Sequence, residues 1–164
     1  MARGWWSAKV RRTWNYLRPK VSEADRAELV GWLTPDQMSL YDAQPAGDRR
    51  HGLDVVSYLR RAGAIDAEIL VAGLLHDCGK GRNVRLPHRV VWSLSSRYGS
   101  WITRIFRPLP TFGAGLAGLR DHAMRSAELA QRAGCSARTV DLIRNQEAPT
   151  DDAGRLLLAA DEAN

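Results

Sequence analysis

Seven residues in a row, Ile69 to Leu75, carry no polar side chain, and the next two are His76 and Asp77. A helix over this run is apolar nearly all round, so it has no face to give to water and belongs at the centre of the fold. It falls well short of the ~20 apolar residues that a bilayer crossing takes, so other parts of the chain must bury it. Asp66 is placed to cap its start and Gly79 to end it. Such a helix delivers His76 and Asp77 into the interior. A buried carboxylate without a partner is expensive, so Asp77 needs a cation: a metal ion, Lys80 or an arginine. Neighbours on a helix point ~100° apart, so both side chains can reach one ion only where the helix ends.

The rest of the chain reads as the shell around that helix. Ser22 with Asp25 forms a capping box, and Thr34, Pro35 and Gln37 are N-cap, N1 and N3 of another start. Asp48 can cap a helix that runs to about Ala62 and stops at Gly63, with His51, Val55, Tyr58 and Leu59 on its inward face. Lys80 to Leu86 reads as a loop. A helix then begins near Pro87, followed by a short one through Trp101, Ile102, Ile105 and Phe106 that Pro108 and Pro110 break. Gly113, Gly115 and Gly118 spell G-x-G-x-x-G, but no strand precedes them, so they mark a loop or close helix packing. His122 to Ala133 forms a helix ended by Gly134. Ser136 caps the next, with Val140, Leu142 and Ile143 inward. Asp151 or Asp152 caps the last, in which Leu156 to Ala160 are buried and Asp161 follows. Few segments alternate as strands do. The expected fold is all-α: one helical domain over 47–164, with a helical extension over 1–46.

Composition adds limits. Two cysteines, Cys78 and Cys135, argue for reduced thiols rather than a disulfide framework. With no secretory h-region and no membrane span, a cytoplasmic location is expected. The net charge of +6 is unevenly placed. Residues 1–20 hold six bases and no acid, and residues 78–120 hold eight bases and no acid. Such segments attract phosphate or anionic lipid, or are simply solvated. Trp6, Val10, Trp14 and Leu17 recur at helical spacing among the first bases, as in a helix that docks on its own domain, a protein partner or a membrane surface. Nucleic acid would rest on charge alone and is disfavoured.

His51, His76, Asp77 and Asp161 together form a mixed nitrogen and oxygen donor set that suits one divalent ion such as Mn²⁺, Fe²⁺, Ni²⁺, Zn²⁺ or Mg²⁺. The order H…HD…D, from about Gly47 to Glu162, resembles the HD-domain superfamily of metal-dependent phosphohydrolases. The resemblance implies a helical bundle with these four residues as metal ligands. His76-Asp77-Cys78-Gly79-Lys80 is similar to the family's HD-x-G-K form, which implies that Lys80 neutralises substrate phosphate and that Asp77 holds or orients the attacking water. Arg82 and Arg85 follow in the same basic segment and are expected to assist in phosphate binding. The stretch from His122 resembles the H-x-x-x-[GS]-A-E-L helix of larger members, implying that His122 contacts the phosphate or acts as general acid.

Departures from the family pattern narrow the reading. Larger members carry further histidines where this chain has Asn145-Gln146-Glu147, which argues against a full second metal site, although Glu147 could ligate. A Gly-Tyr-Pro motif is absent, as is the Glu-Asp pair of the guanosine-tetraphosphate hydrolases, so neither branch is indicated. His88 is expected on the surface or in a loop. The expected function is hydrolysis of a nucleotide or other small phosphate ester. The alternative is an HD-type module that binds or regulates without turnover.

Overall fold

A computed structural model describes residues 21–81 and 84–164, and among them the chain is helical throughout, with no strand. Ten helices follow in order: α1 (Glu23–Val30), α2 (Pro35–Asp42), α3 (Ala46–Arg61), α4 (Ala67–Leu75), α5 (Leu86–Tyr98), α6 (Trp101–Phe106), α7 (Phe112–Arg120), α8 (His122–Arg132), α9 (Ala137–Arg144) and α10 (Asp152–Ala163). A short 3₁₀ turn, Cys78–Lys80, follows α4. The expected first helix and Arg82 lie outside the described residues. No helix among those described is long and apolar enough to cross a membrane.

The capping chemistry sets most boundaries. Ser22 and Asp25 close a capping box on α1, and Thr34 and Gln37 close one on α2, with Pro35 in its first turn. Asp66, Ser136 and Asp151 cap α4, α9 and α10. Asp48 does not cap α3, which begins earlier, behind Pro45. The Gly113–Gly118 stretch is helical, not a loop, and its glycines admit neighbours: Gly115 lies against the His88 ring and Gly118 against Val84.

Helix α4 is the axis of the main core. All seven of its residues from Ile69 to Leu75 are buried. Each large aliphatic side chain there is worth about 1.5–3 kcal/mol in transfer from water, enough together to hold a polar pair at the helix end once that pair is itself compensated. Around α4 pack Val55 and Leu59 of α3, Ala127 and Ala130 of α8, Leu142 and Ile143 of α9, and Leu157 of α10. Leu29, Leu33, Met38 and Tyr41 belong to this same cluster. The described part of the expected extension, residues 21–46, therefore shares the main core. In α10 the burial expected from Leu156 to Ala160 is confined to Leu157 and Ala160, one helical turn apart.

A second, smaller core joins α5, α6 and α7. Its buried members are Val91, Ile102 and Leu116, with Trp92, Leu94, Phe106 and Phe112 packed on them. His88 belongs here and is buried, not on the surface. Its Nδ1 accepts the Arg85 N–H at 2.9 Å, closing the first turn of α5, and its ring meets Phe112 edge-on at 4.7 Å. A buried ion pair ties the two parts together: Arg89 Nη2 on α5 sits 2.6 and 2.8 Å from the two carboxylate oxygens of Asp48 on α3.

Candidate metal centre

Three helix ends, the first half of α3 and one turn meet at the floor of a cleft of about 520 Å³ between the two cores. His51 comes from α3, His76 caps α4, Asp77 leads into the 3₁₀ turn, His122 opens α8, and Asp161 lies near the end of α10. Two close approaches set this geometry. A Cβ on Gly52 would lie 2.8 Å from the Leu74 carbonyl oxygen, so α3 and α4 touch backbone to backbone beside His51. A Cβ on Gly79 would lie 2.4 Å from Ser126 N and 2.5 Å from the His122 carbonyl oxygen. Gly79 therefore acts not as the stop of α4, which ends at Leu75, but as the point where the turn presses on α8. Its N–H donates to Ser126 Oγ at 2.8 Å.

His51 Nε2 lies 2.8 Å from Asp161 Oδ1 and 3.9 Å from Asp77 Oδ2. His76 Nε2 is 3.5 Å from both Asp77 Oδ1 and Asp161 Oδ1. Donor atoms of His51, His76 and Asp161 all fall within 4.8 Å of one another. The 2.8 and 3.5 Å separations from Asp161 Oδ1 are close to those between neighbouring ligands of one ion. Asp77 borders the group without belonging to it. Its Oδ1 faces His76 and His122, while its Oδ2 forms a tight ion pair with Lys80.

The fit to a cation rests on His76. Its Nδ1 is 2.9 Å from the Gly73 carbonyl oxygen. A carbonyl can only accept, so Nδ1 carries a proton, and in the neutral ring Nε2 is left with its lone pair. That buried Nε2 makes no hydrogen bond. A lone pair facing two carboxylates is unfavourable, and either a proton or a metal ion resolves it. Without a metal, burial opposes charge on the ring, but Asp77 and Asp161 outweigh it and raise the His76 pKa to about 9. Burial likewise opposes ionisation of Asp77, yet the charges of His76, Lys80 and His51 hold its carboxyl far below the usual range. Asp161 is lowered too: burial works against its ionisation, and His51 and His76 beside it prevail. The donor set, the short separations from Asp161 and the His76 nitrogen without a hydrogen bond fit a divalent ion held by His51, His76 and Asp161.

His122 is fixed in the same way. Its Nδ1 donates to the Leu119 carbonyl oxygen at 2.6 Å, and its Nε2 stands 3.8 Å from Asp77 Oδ1. Glu147 lies 3.8 Å from the Nδ1 side of that ring, away from Nε2. Lys80 lines the cleft, whereas Arg85, exposed at the start of α5, does not. Gln146 has a role no motif announced. It is buried, and its Nε2 donates to the His76 carbonyl oxygen at 3.1 Å, tethering the end of α4. The Asp48–Arg89 pair was equally hidden, because its residues are 41 positions apart. Burial pushes the Cys78 thiol up to about 12, which favours its protonated form, and both cysteines are free.

Set against known proteins, the chain matches no family model, no curated protein and no solved structure.

Proposed function

We propose that this protein is a metal-dependent phosphohydrolase of the HD type acting on a small phosphate ester, with one divalent ion held by His51, His76 and Asp161. The observation that carries this reading is the buried His76 Nε2, which makes no hydrogen bond and faces two carboxylates at 3.5 Å. A bound divalent ion would lower the pKa of a coordinated water and polarise a phosphoryl oxygen. The chain supplies the rest. Asp77 Oδ1, open toward His76 and His122, can hold and orient the water. Lys80, paired with Asp77 Oδ2 at the cleft wall, offers its ammonium to the phosphate, where developing charge is stabilised. His122, its Nδ1–H locked on Leu119, presents Nε2 to the cleft, and its protonated form can donate to the leaving oxygen. Trp92, Leu86 and Leu158 give the cleft an apolar side for the organic part of the ester.

The test is a screen of phosphate esters with the Mn²⁺-loaded protein, wild type beside Asp77→Asn. Phosphate release that disappears in the variant, with its metal retained, is the expected result. Metal binding without release of phosphate from any ester would sink the hydrolase reading and leave a metal-holding module.

A further inference from the structure

Helix α6 is apolar on two faces, and folding uses only one. Ile102 and Phe106 turn into the small core. Trp101 and Ile105, one turn apart, face outward at 56% and 61% exposure. Tyr98 just before the helix is 53% exposed, and Leu109 just after it 48%. Leu109 is held out by a turn framed by Pro108 and Pro110. Its N–H donates to the Phe106 carbonyl, and its own carbonyl accepts from Phe112 N–H. Of the eight large hydrophobic side chains exposed among the described residues, five lie between Val90 and Leu109. They are concentrated in one stretch of the chain, unlike the scatter usual on a protein surface.

The charge around the patch has one sign. No acid occurs between residues 78 and 120. Arg97, Arg104 and Arg107 are exposed and meet no carboxylate among the described residues, whereas Arg26, Arg60 and Arg138 elsewhere each sit on one. A second copy is a poor occupant, since a two-fold interface would set these arginines against themselves. Residues 1–20, with six bases and no acid, offer no charge complementarity either. Nucleic acid would use the arginines but give Ile105 and Leu109 nothing to do. Trp and Tyr with aliphatic side chains and interleaved arginines are the mixture that suits a headgroup layer.

We propose that the outer face of α6 with its flanking turns, Tyr98 to Leu109, seats the protein on an anionic bilayer surface. Trp101, Ile105 and Leu109 enter the headgroup layer, and Arg97, Arg104 and Arg107 meet lipid phosphates. Arg97 and Val90 also line the cleft, so its mouth would open beside the membrane. The inference stands apart from the metal centre and does not depend on hydrolysis.

The experiment is co-sedimentation of the full chain with vesicles of phosphatidylcholine plus phosphatidylglycerol, against phosphatidylcholine alone. Two variants are compared with wild type: Arg97→Glu/Arg104→Glu/Arg107→Glu and Trp101→Ser/Ile105→Ser/Leu109→Ser. All six side chains are exposed, and unchanged melting by circular dichroism confirms folding. The expected result is binding that requires phosphatidylglycerol. It should fall on the order of a hundredfold in the charge variant and at least about tenfold in the apolar one. Three results would overturn the proposal. One is no binding to either vesicle. A second is binding unchanged in both variants but abolished by Arg11→Glu/Arg12→Glu, which would assign it to residues 1–20. The third is vesicle binding unchanged while oligonucleotide binding disappears in the charge variant.

Discussion

The floor and the outer wall of the cleft rest on cores of different size. The floor stands on α3, α4, α8, α9 and α10, whose side chains form one large buried cluster. The wall stands on α5, α6 and α7, with three buried aliphatic residues at its centre. On the floor, His76, Asp77 and His122 are buried, and backbone holds both buried imidazoles: the Gly73 and Leu119 carbonyls accept from their Nδ1 atoms, and Gln146 holds the His76 carbonyl. On the wall, the charges are arginines at or near the surface, and the Asp48–Arg89 pair is the buried polar link to the floor. Chemistry that needs sub-ångström placement sits where packing is deepest, and recognition sits where side chains can adjust. A small satellite core also predicts lower local stability for the wall.

Four experiments break or sharpen that contrast. The largest effect is expected from Asp77→Ala. Phosphate release should fall at least about a hundredfold to a thousandfold, whereas Leu86→Ala on the wall, which trims the apolar side of the cleft, should mainly raise KM with kcat little changed. Equal losses of kcat in steady-state kinetics would erase the distinction. Next is core truncation. Leu74→Ala should cost about 2–5 kcal/mol in denaturant unfolding, and Val91→Ala less, because the wall has fewer neighbours to lose.

The pH dependence of the floor comes third. The folded His76 pKa of about 9 lies above its ordinary 6.5. In metal-free protein its contribution is fully present below pH 6.5 and is lost as pH rises through 9, by about 3 kcal/mol at most. The lowered Asp77 and Asp161 contribute above their ordinary 3.8 and lose that contribution as pH falls below it. Metal-free protein should therefore melt highest between about pH 4 and 6.5. Stabilisation by added Mn²⁺ should instead grow with rising pH, because the ion needs neutral imidazole. A metal-free melting temperature that climbs from pH 6.5 to 9 would contradict the His76 environment described here.

The smallest effect is a pair of opposite sign. Gly52→Ala drives a Cβ to 2.8 Å from the Leu74 carbonyl oxygen and should destabilise by about 1–3 kcal/mol while weakening metal binding. Gly113→Ala on α7 meets only Arg107 O at 3.4 Å and should stabilise by about 0.4–1 kcal/mol. Thermal melts of the two variants give both signs.

The same contrast marks what the sequence made legible. The central helix was readable because seven apolar residues leave no solvent face, and most caps were readable because they act within three residues. His51, His76, Asp77 and Asp161 could be named because spacing and order placed them, and the structure brings them to one floor. What escaped depends on distant contacts. Asp48 looks like a cap in sequence but is buried against Arg89, 41 residues away. His88 looks like a loop residue because its burial comes from Gly115 and Phe112. Gly79 looks like a helix stop, yet its need for no side chain comes from α8. Arg85 follows the motif in sequence, but the start of α5 keeps it out of the cleft.

The most direct test of the proposed metal centre is the metal content of the purified protein by elemental mass spectrometry, wild type beside His76→Ala. One transition-metal ion per wild-type chain, absent from the variant, is the predicted result. Wild-type protein that holds no metal even after loading with Mn²⁺ or Fe²⁺ would contradict it, and would leave His76 as an imidazolium paired with Asp77 and Asp161.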